Sequence, residues 1–404
     1  MMQLPSDADK TGRDLGEEEL ELLREALASG TLTSTKGTLV SRLEREFAAR
    51  YGRAHAHACT SGSAAVHCAI AALDLEPGDE VITTPITDMG ALTSILYQGA
   101  IPVFCDVDAD SYNVTSETIA PRITGRTRAV IATHLFGIPC DLEPILELCR
   151  GRNVPLIEDC AQAFDATYQG RPVGSFGAMG CFSFQQGKHM TAGEGGIVVT
   201  DDDGWARRIF LFINKAWGYG DEHPDHYFLA PNYRMNELTG AVALAQLHKL
   251  GSVVERRRRA AARLTEAIAD LPGVSPQKSP CDSEPTYWRY CVNVDAGKCG
   301  TSLDELAGHL RRSGISAAPR YIGKPAFECQ IFREKRTFGT SRWPYSDPSR
   351  AGLPEPDHDR AHFPGAVRAL SQILVIPWNE HYEDSHVDYI ADRIREAVPG
   401  AVGS

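Results

Sequence analysis

Cys181-Phe182-Ser183-Phe184-Gln185-Gln186-Gly187-Lys188-His189-Met190-Thr191-Ala192-Gly193-Glu194-Gly195-Gly196 reads as the end of an apolar strand, a polar loop with one lysine, a glycine turn and the start of another strand. That next strand, Ile197-Val198-Val199-Thr200, closes on the acidic turn Asp201-Asp202-Asp203-Gly204. A lysine held between two buried strands loses hydration. Burial disfavours its ammonium form and lowers its pKa, which suits an amine nucleophile or base. Glycines beside it let the backbone turn left-handed and approach a bound group closely. A hairpin whose lysine points to water fits the same letters, so the rest of the chain has to decide.

Working outward, strands and helices alternate. Before the lysine loop the pattern predicts helices over Gly16–Ser29, Leu39–Tyr51, Ala64–Leu75, Thr93–Gln98 and Leu142–Arg150. It predicts strands over Glu80–Thr84, Pro102–Val107, Ala129–Thr133 and Val154–Asp159. Such alternation is the signature of a parallel sheet with crossover helices. Beyond the loop, one long helix is predicted from Asn236 to about Leu271, with Leu244, Leu247, Leu250 and Val254 on one face. Its Arg256-Arg257-Arg258-Arg259 run reads as a polyanion patch or, in an acidic chain, as a solvated face or interface pairs. A smaller α/β unit follows, with a strand over Tyr287–Val294, helices over Leu303–Ser313 and Asp384–Ala397, and a long irregular loop over Lys324–Asp359. The division expected is an N-terminal arm at 1–14, a large domain at 15–250 and a small C-terminal domain at 251–404. The arm, polar and carrying Asp7, Asp9 and Asp14, is expected to be loose.

Composition narrows the classes. At 404 residues, two domains are likelier than one. A formal charge of −12 argues against nucleic acid as a partner. Eleven cysteines without a Cys-x-x-Cys pair suggest reduced thiols in a cytoplasm, with neither a disulfide framework nor a metal site. No apolar run reaches membrane-spanning length.

Four pieces of the N-terminal half fall at strand-to-helix ends or in the loops beside them, where open α/β sheets bind ligands. Thr60-Ser61-Gly62-Ser63 opens a helix, so its free N–H groups and the helix dipole suit a phosphate; an ordinary Ser N-cap reads the same way. Asp159 ends an apolar strand, where an unpaired carboxylate is costly; a cationic heterocycle or a helix cap would satisfy it. Ser183 stands five residues before Lys188, as a phosphate contact or as a plain strand serine. Asn232-Tyr233-Arg234-Met235-Asn236-Glu237 opens the long helix, as a capping turn or as a reach toward a ligand across a dimer interface. In this order, a phosphate turn, an aspartate and a serine-to-lysine loop are the parts needed to hold pyridoxal 5′-phosphate. The lysine forms the Schiff base and the aspartate keeps the pyridine nitrogen protonated.

With these motifs, and with Glu158-Asp159-Cys160-Ala161-Gln162, Gly193-Glu194-Gly195-Gly196 and Asn232-Tyr233-Arg234-Met235, the chain resembles the DegT/DnrJ/StrS family of sugar and cyclitol aminotransferases over nearly its whole length. The resemblance implies the α/β fold-type I of pyridoxal-phosphate enzymes: a large domain with a mainly parallel mixed sheet, and a smaller C-terminal domain. It implies that Lys188 is the Schiff-base lysine and proton carrier, and that Asp159 pairs with the pyridine nitrogen. Gln162 would lie by the phenolic oxygen. Gly62, Ser63 and Ser183 would hold the phosphate, and Asn232 would reach the neighbouring subunit's site in a homodimer. The implied reaction passes an amino group from glutamate or glutamine to a keto sugar, a keto-cyclitol or an aminoglycoside intermediate, as in antibiotic biosynthesis.

Two departures from the family pattern stand out. Asp88, in Pro85-Ile86-Thr87-Asp88-Met89-Gly90, falls where an aromatic residue commonly stacks on the cofactor ring, so Met89 or an aliphatic side chain covers the ring or Asp88 contacts substrate. Arg320-Tyr321-Ile322-Gly323-Lys324-Pro325 replaces a His-Tyr-x-Pro-Leu-His-like segment, making Arg320 and Tyr321 candidate substrate contacts. Relatives that are dehydratases leave a second reading. In one type histidine replaces the lysine, which the lysine at 188 disfavours despite the adjacent His189; an aminohydroxybenzoate-forming dehydratase retains it. A third reading, a non-catalytic cofactor-binding sensor, usually brings an added DNA-binding domain, for which the chain has no room.

Overall fold

A computed structural model describes residues 2–399. Helix α1 (Glu17–Ser29) carries three glutamates in its first turn and stops at Gly30, whose φ of 68° needs no Cβ. Helix α2 (Leu39–Tyr51) follows, then strand β1 (His55–Cys59), α3 (Gly62–Ala72), β2 (Glu80–Thr83), α4 (Met89–Tyr97), β3 (Ile101–Phe104) and β4 (Thr127–Thr133). Next come α5 (Leu142–Arg152), β5 (Leu156–Asp159), β6 (Met179–Ser183), β7 (Gly196–Thr200), α6 (Asp203–Ile213) and the 31-residue α7 (Glu237–Ala267). Seven strands form one sheet in the order β1-β7-β6-β5-β4-β2-β3. From β3 to β6 every pairing is parallel, and β5, β6 and β7 are buried at every position, as sheets covered on both faces require. β7 alone runs the other way, antiparallel to β6 and β1, because the lysine loop folds the chain back on itself. This is the mainly parallel mixed sheet expected.

The register sets up the site. Ser183 at the end of β6 pairs with Gly196, and Gly196 pairs with Cys59 at the end of β1. On the other side Cys181 pairs with Asp159, which pairs with Thr133 of β4. The carboxyl ends of four strands therefore meet at one edge of the sheet. The sequence does not announce strand β1, because His55-Ala56-His57-Ala58-Cys59 lacks the β-branched and aromatic residues that mark strands.

A second sheet, all antiparallel, has the order β8 (Val274–Pro276), β9 (Arg289–Val294), β11 (Ile373–Pro377), β10 (Ala318–Pro319). Helices α8 (Leu303–Arg312) and α10 (Asp384–Ala397) pack with it in a core of their own, while α9 (Pro364–Gln372) packs into the core of the large sheet. Helix α7 runs unbroken through residue 250. Leu244, Leu247, Leu250 and Val254 belong to the core of the large sheet, and Ala260, Ala261 and Leu264 to the second core. The 326–363 stretch, short helical turns among irregular chain, returns Phe327 and Phe332 to the large sheet, each ring against Phe104.

The arginine run is structural. Arg257 is fully buried, bonded to Glu380 and to the Trp378 carbonyl, while Arg256 pairs with Asp14 and Arg258 donates to backbone carbonyls. The first residues are docked, not loose: Arg13 is buried, Asp7 pairs with Arg13 and Arg289, and Asn379 donates to Asp7. All eleven cysteines are unpaired. Among the described residues no helix is long and apolar enough to cross a membrane.

Candidate active site

At the carboxyl edge of the large sheet lies a cavity of about 390 Å³, lined by residues that include Ser61, Gly62, Ser63, Asp88, Asp159, Gln162, Ser183, Lys188 and Tyr321. A wider open cleft of about 790 Å³ sits at the amino ends of the strands, around Pro155, Phe176 and Trp205. Size favours that cleft. Chemistry favours the smaller cavity, which gathers a buried carboxylate, a desolvated amine and two helix amino termini.

The two helix starts are α3 and α4. Ser61 caps α3 by accepting from the Ala64 N–H at 3.0 Å, which leaves the first N–H groups of Gly62 and Ser63 turned to the cavity end of the helix. Gly62 is required by contact: a Cβ there would stand 2.5 Å from the Ser183 Cβ. Ser183 itself is buried, its hydroxyl 3.4 Å from the Gln185 N–H. Asp88 caps α4, accepting from the Gly90 N–H at 2.8 Å while it lines the cavity.

Asp159 is buried at 6% exposure. Burial raises its pKa, against the Ala161 N–H at 3.1 Å and the nearby Lys188 charge. A carboxylate in that state lacks a cation. Below it, Glu158 is fully buried yet held to a lowered pKa. Burial alone would raise it; the His134 hydrogen bond at 3.2 Å and the N–H groups of Gly174, Phe176 and Gly177 win. His134 accepts from the Cys140 N–H, so its other nitrogen donates to Glu158. His134, Glu158 and Cys160 lie close enough to suggest a metal, but the lone pairs of the histidine and the carboxylate are already spent on these bonds.

Lys188 is half-buried, and its open surface faces the cavity. Its pKa is lowered to about 8, chiefly by burial and further by Arg289, while Asp159 and Asp88 pull it back up. Its Nζ lies 4.0 Å from the centre of the Trp288 ring. His189 turns away, with Nε2 donating to the Thr286 carbonyl at 2.9 Å. Gln162 is buried and its amide oxygen accepts the Phe136 N–H at 2.7 Å.

Arg320, Asn232 and Met89 stand outside the cavity. Tyr321 lines the cavity with its ring 4.7 Å from Phe136, but Arg320 makes two bonds to Asp304 at 2.7 and 2.5 Å and does not line it. Both residues have positive φ, 65° and 50°, and this left-handed kink sends the two side chains apart. Asn232 is exposed and also outside the cavity, on a bridge to Asn214. Met89 does not line the cavity; Thr87, Ala91 and Val66 do. Trp288 was missed, as were Glu194 in the lining and Arg13, which donates to the Lys188 carbonyl at 2.8 Å. The only sequence signal for Trp288 was an aromatic pair just before β9, which buried strands share.

The donor set fits pyridoxal phosphate: a buried, raised-pKa carboxylate for a pyridinium, helix starts and hydroxyls for a phosphate, and a desolvated amine for an aldehyde. Comparisons agree. Residues 13–353 match the family model described as the DegT/DnrJ/EryC1/StrS aminotransferase family. The spore coat polysaccharide biosynthesis protein SpsC of Bacillus subtilis (strain 168) is 31% identical over 397 residues, 96% of each chain. GDP-perosamine synthase of Escherichia coli O157:H7 is 34% identical over 317 residues, 78% of this chain and 85% of that one. The crystal structure of 3-amino-5-hydroxybenzoic acid synthase superposes with a TM-score of 0.82 at 27% identity, over 96% of this chain and 97% of the other.

Proposed function

Because this chain belongs to the DegT/DnrJ/EryC1/StrS aminotransferase family and is a pyridoxal phosphate-dependent aminotransferase, we propose that it moves an amino group from glutamate or glutamine to a keto sugar. A keto-cyclitol or a partly built aminoglycoside is the alternative acceptor, and the setting is antibiotic biosynthesis in the cytoplasm. The observation that carries this reading is the sharing of one cavity by the Lys188 amine and the Asp159 carboxylate.

Bound pyridoxal phosphate supplies the aldehyde that takes up the amino group and a ring that withdraws electrons from the carbon losing its proton. Lys188 would hold the cofactor at that aldehyde carbon. Its desolvated amine, whose pKa burial lowers, would be placed to carry the proton at the substrate carbon. Asp159 keeps the ring nitrogen protonated, and the buried position that raises its own pKa makes the pairing strong. The amide of Gln162 would donate to the phenolic oxygen. Gly62, Ser63 and Ser183 bind the phosphate. Asp88 and Tyr321 face the acceptor, and Arg320, tied to Asp304, does not. Asn232, exposed on its own subunit, reaches the cavity of a second copy in a homodimer.

Spectroscopy tests this. The cofactor-loaded protein should show the visible band of the lysine-linked form, near ~420 nm. Glutamate or glutamine should bleach it, and a keto sugar should restore it. Similarity to 3-amino-5-hydroxybenzoic acid synthase supports a dehydratase reading as runner-up. Loss of water from an acceptor without bleaching by any amino donor would decide for that reading. Binding with no bleaching and no turnover would decide for a sensor.

A further inference from the structure

Trp288 lies outside the motifs that carry the family resemblance, yet it touches both the lysine and the residue before it. Its ring face lies 4.0 Å from the Lys188 Nζ, and its indole N–H donates to the Gly187 carbonyl at 2.6 Å. The ring is itself held: Phe136 is stacked nearly parallel at 6.3 Å, and the Arg289 guanidinium, anchored by Asp7 at 2.8 Å, lies 4.6 Å from it. On the next peptide, Arg13 donates to the Lys188 carbonyl at 2.8 Å. Both carbonyls flanking the lysine are thus pinned from outside the large sheet. Among the described residues no carboxylate pairs with Nζ, and the indole face is its near neighbour.

We propose that Trp288 is a positioning residue for the Lys188 amine, receiving it on the ring face whenever it is not joined to the cofactor and fixing the peptide it stands on. The proposal rests on the catalytic reading of Lys188. A lysine not joined to the cofactor would have four rotatable bonds and a cavity lined by Asp88, Asp159 and Glu194 to wander in. The negative face of an indole attracts an ammonium without the near-contact charge of a carboxylate, which would hold the proton too firmly. The amine stays aimed at the cavity and remains able to give its proton up.

The test uses the full-length protein in its pyridoxamine phosphate form, where the lysine is free. Competitive acetylation with acetic anhydride across pH, read by mass spectrometry on the peptide containing Lys188, gives the titration midpoint of that one amine. Replacing tryptophan by 5-fluoro- and 5,7-difluorotryptophan weakens the ring face without changing its shape. The midpoint should fall stepwise with fluorination. In Trp288→Leu it should fall by about 0.4 to 1.5 pH units, the span of a cation–π contact. In the same variant kcat should drop several-fold with the donor KM little changed, and Trp288→Phe should recover part of both. A midpoint unmoved by fluorination, or raised in Trp288→Leu, overturns the proposal. Lys188→Ala runs alongside: retained turnover there overturns the role of the lysine itself. Loss of turnover with an unmoved midpoint in the fluorinated series removes only the role of the indole.

Discussion

At the residue scale, two desolvated groups with shifted proton affinities, Asp159 and Lys188, do the work, and each shift can be measured. Asp159→Asn removes the charge that would hold the ring nitrogen protonated. Its rate constant should fall by at least about 10²-fold, the scale of losing one strong electrostatic contact, while its melting temperature stays close to wild type. A near-normal rate in that variant would sink the electron-withdrawal argument. Lys188 gives a pH prediction. Its folded pKa is about 8 against 10.5 for the ordinary side chain, so the unfolded chain binds more protons between those values. Burying the charge therefore destabilises the cofactor-free protein fully below about pH 8, and the penalty fades as pH rises toward 10.5. Lys188→Met should be more stable than wild type at neutral pH, with the gap closing at high pH in parallel melts. A gap that stays constant would mean the amine is not desolvated.

At the scale of elements, the site depends on how closely the start of α3 approaches the end of β6. Gly62→Ala drives a methyl into Ser183, so either the helix start or the serine must move, at about 1–3 kcal/mol of strain. The variant should melt lower and, by equilibrium dialysis, bind pyridoxal phosphate at least about tenfold more weakly. Unchanged affinity would take the phosphate away from that turn. These elements were also the legible ones. Lys188, Asp159 and the Ser61–Ser63 turn lie where an apolar run meets a polar or glycine-rich break, and such breaks are written locally. Strand β1 was not legible, since an alternation of histidine and alanine becomes a strand only when Gly196 and its neighbours pair with it. Trp288 lies 100 residues past Lys188 and reaches it only because β9 carries it to the cavity edge; no local pattern announces such a meeting. The opposite fates of Arg320 and Tyr321 were hidden as well, because they turn on two left-handed backbone angles and on Asp304.

At the scale of the whole molecule, the two cores are joined by α7, and the seam between them is ionic. Arg257 sits on that helix between the cores with no exposed surface, neutralised by Glu380. Glu380→Ala removes the short partner and leaves only Asp7, at 3.7 Å, beside the buried guanidinium, and should cost about 3 kcal/mol in denaturant unfolding; a loss under about 1 kcal/mol would show that water reaches the seam. Joining the same seam, the segment from Asp7 to Arg13 ties Arg289, Asn379 and the Lys188 carbonyl together. Arg13→Ala should lower kcat more than it lowers the melting temperature. A protease nick inside this short strap would leave nearly all of the polypeptide intact on a denaturing gel. The clipped enzyme would keep its vitamin-derived colour while its turnover faded, so an ageing preparation could go silent without ever looking degraded.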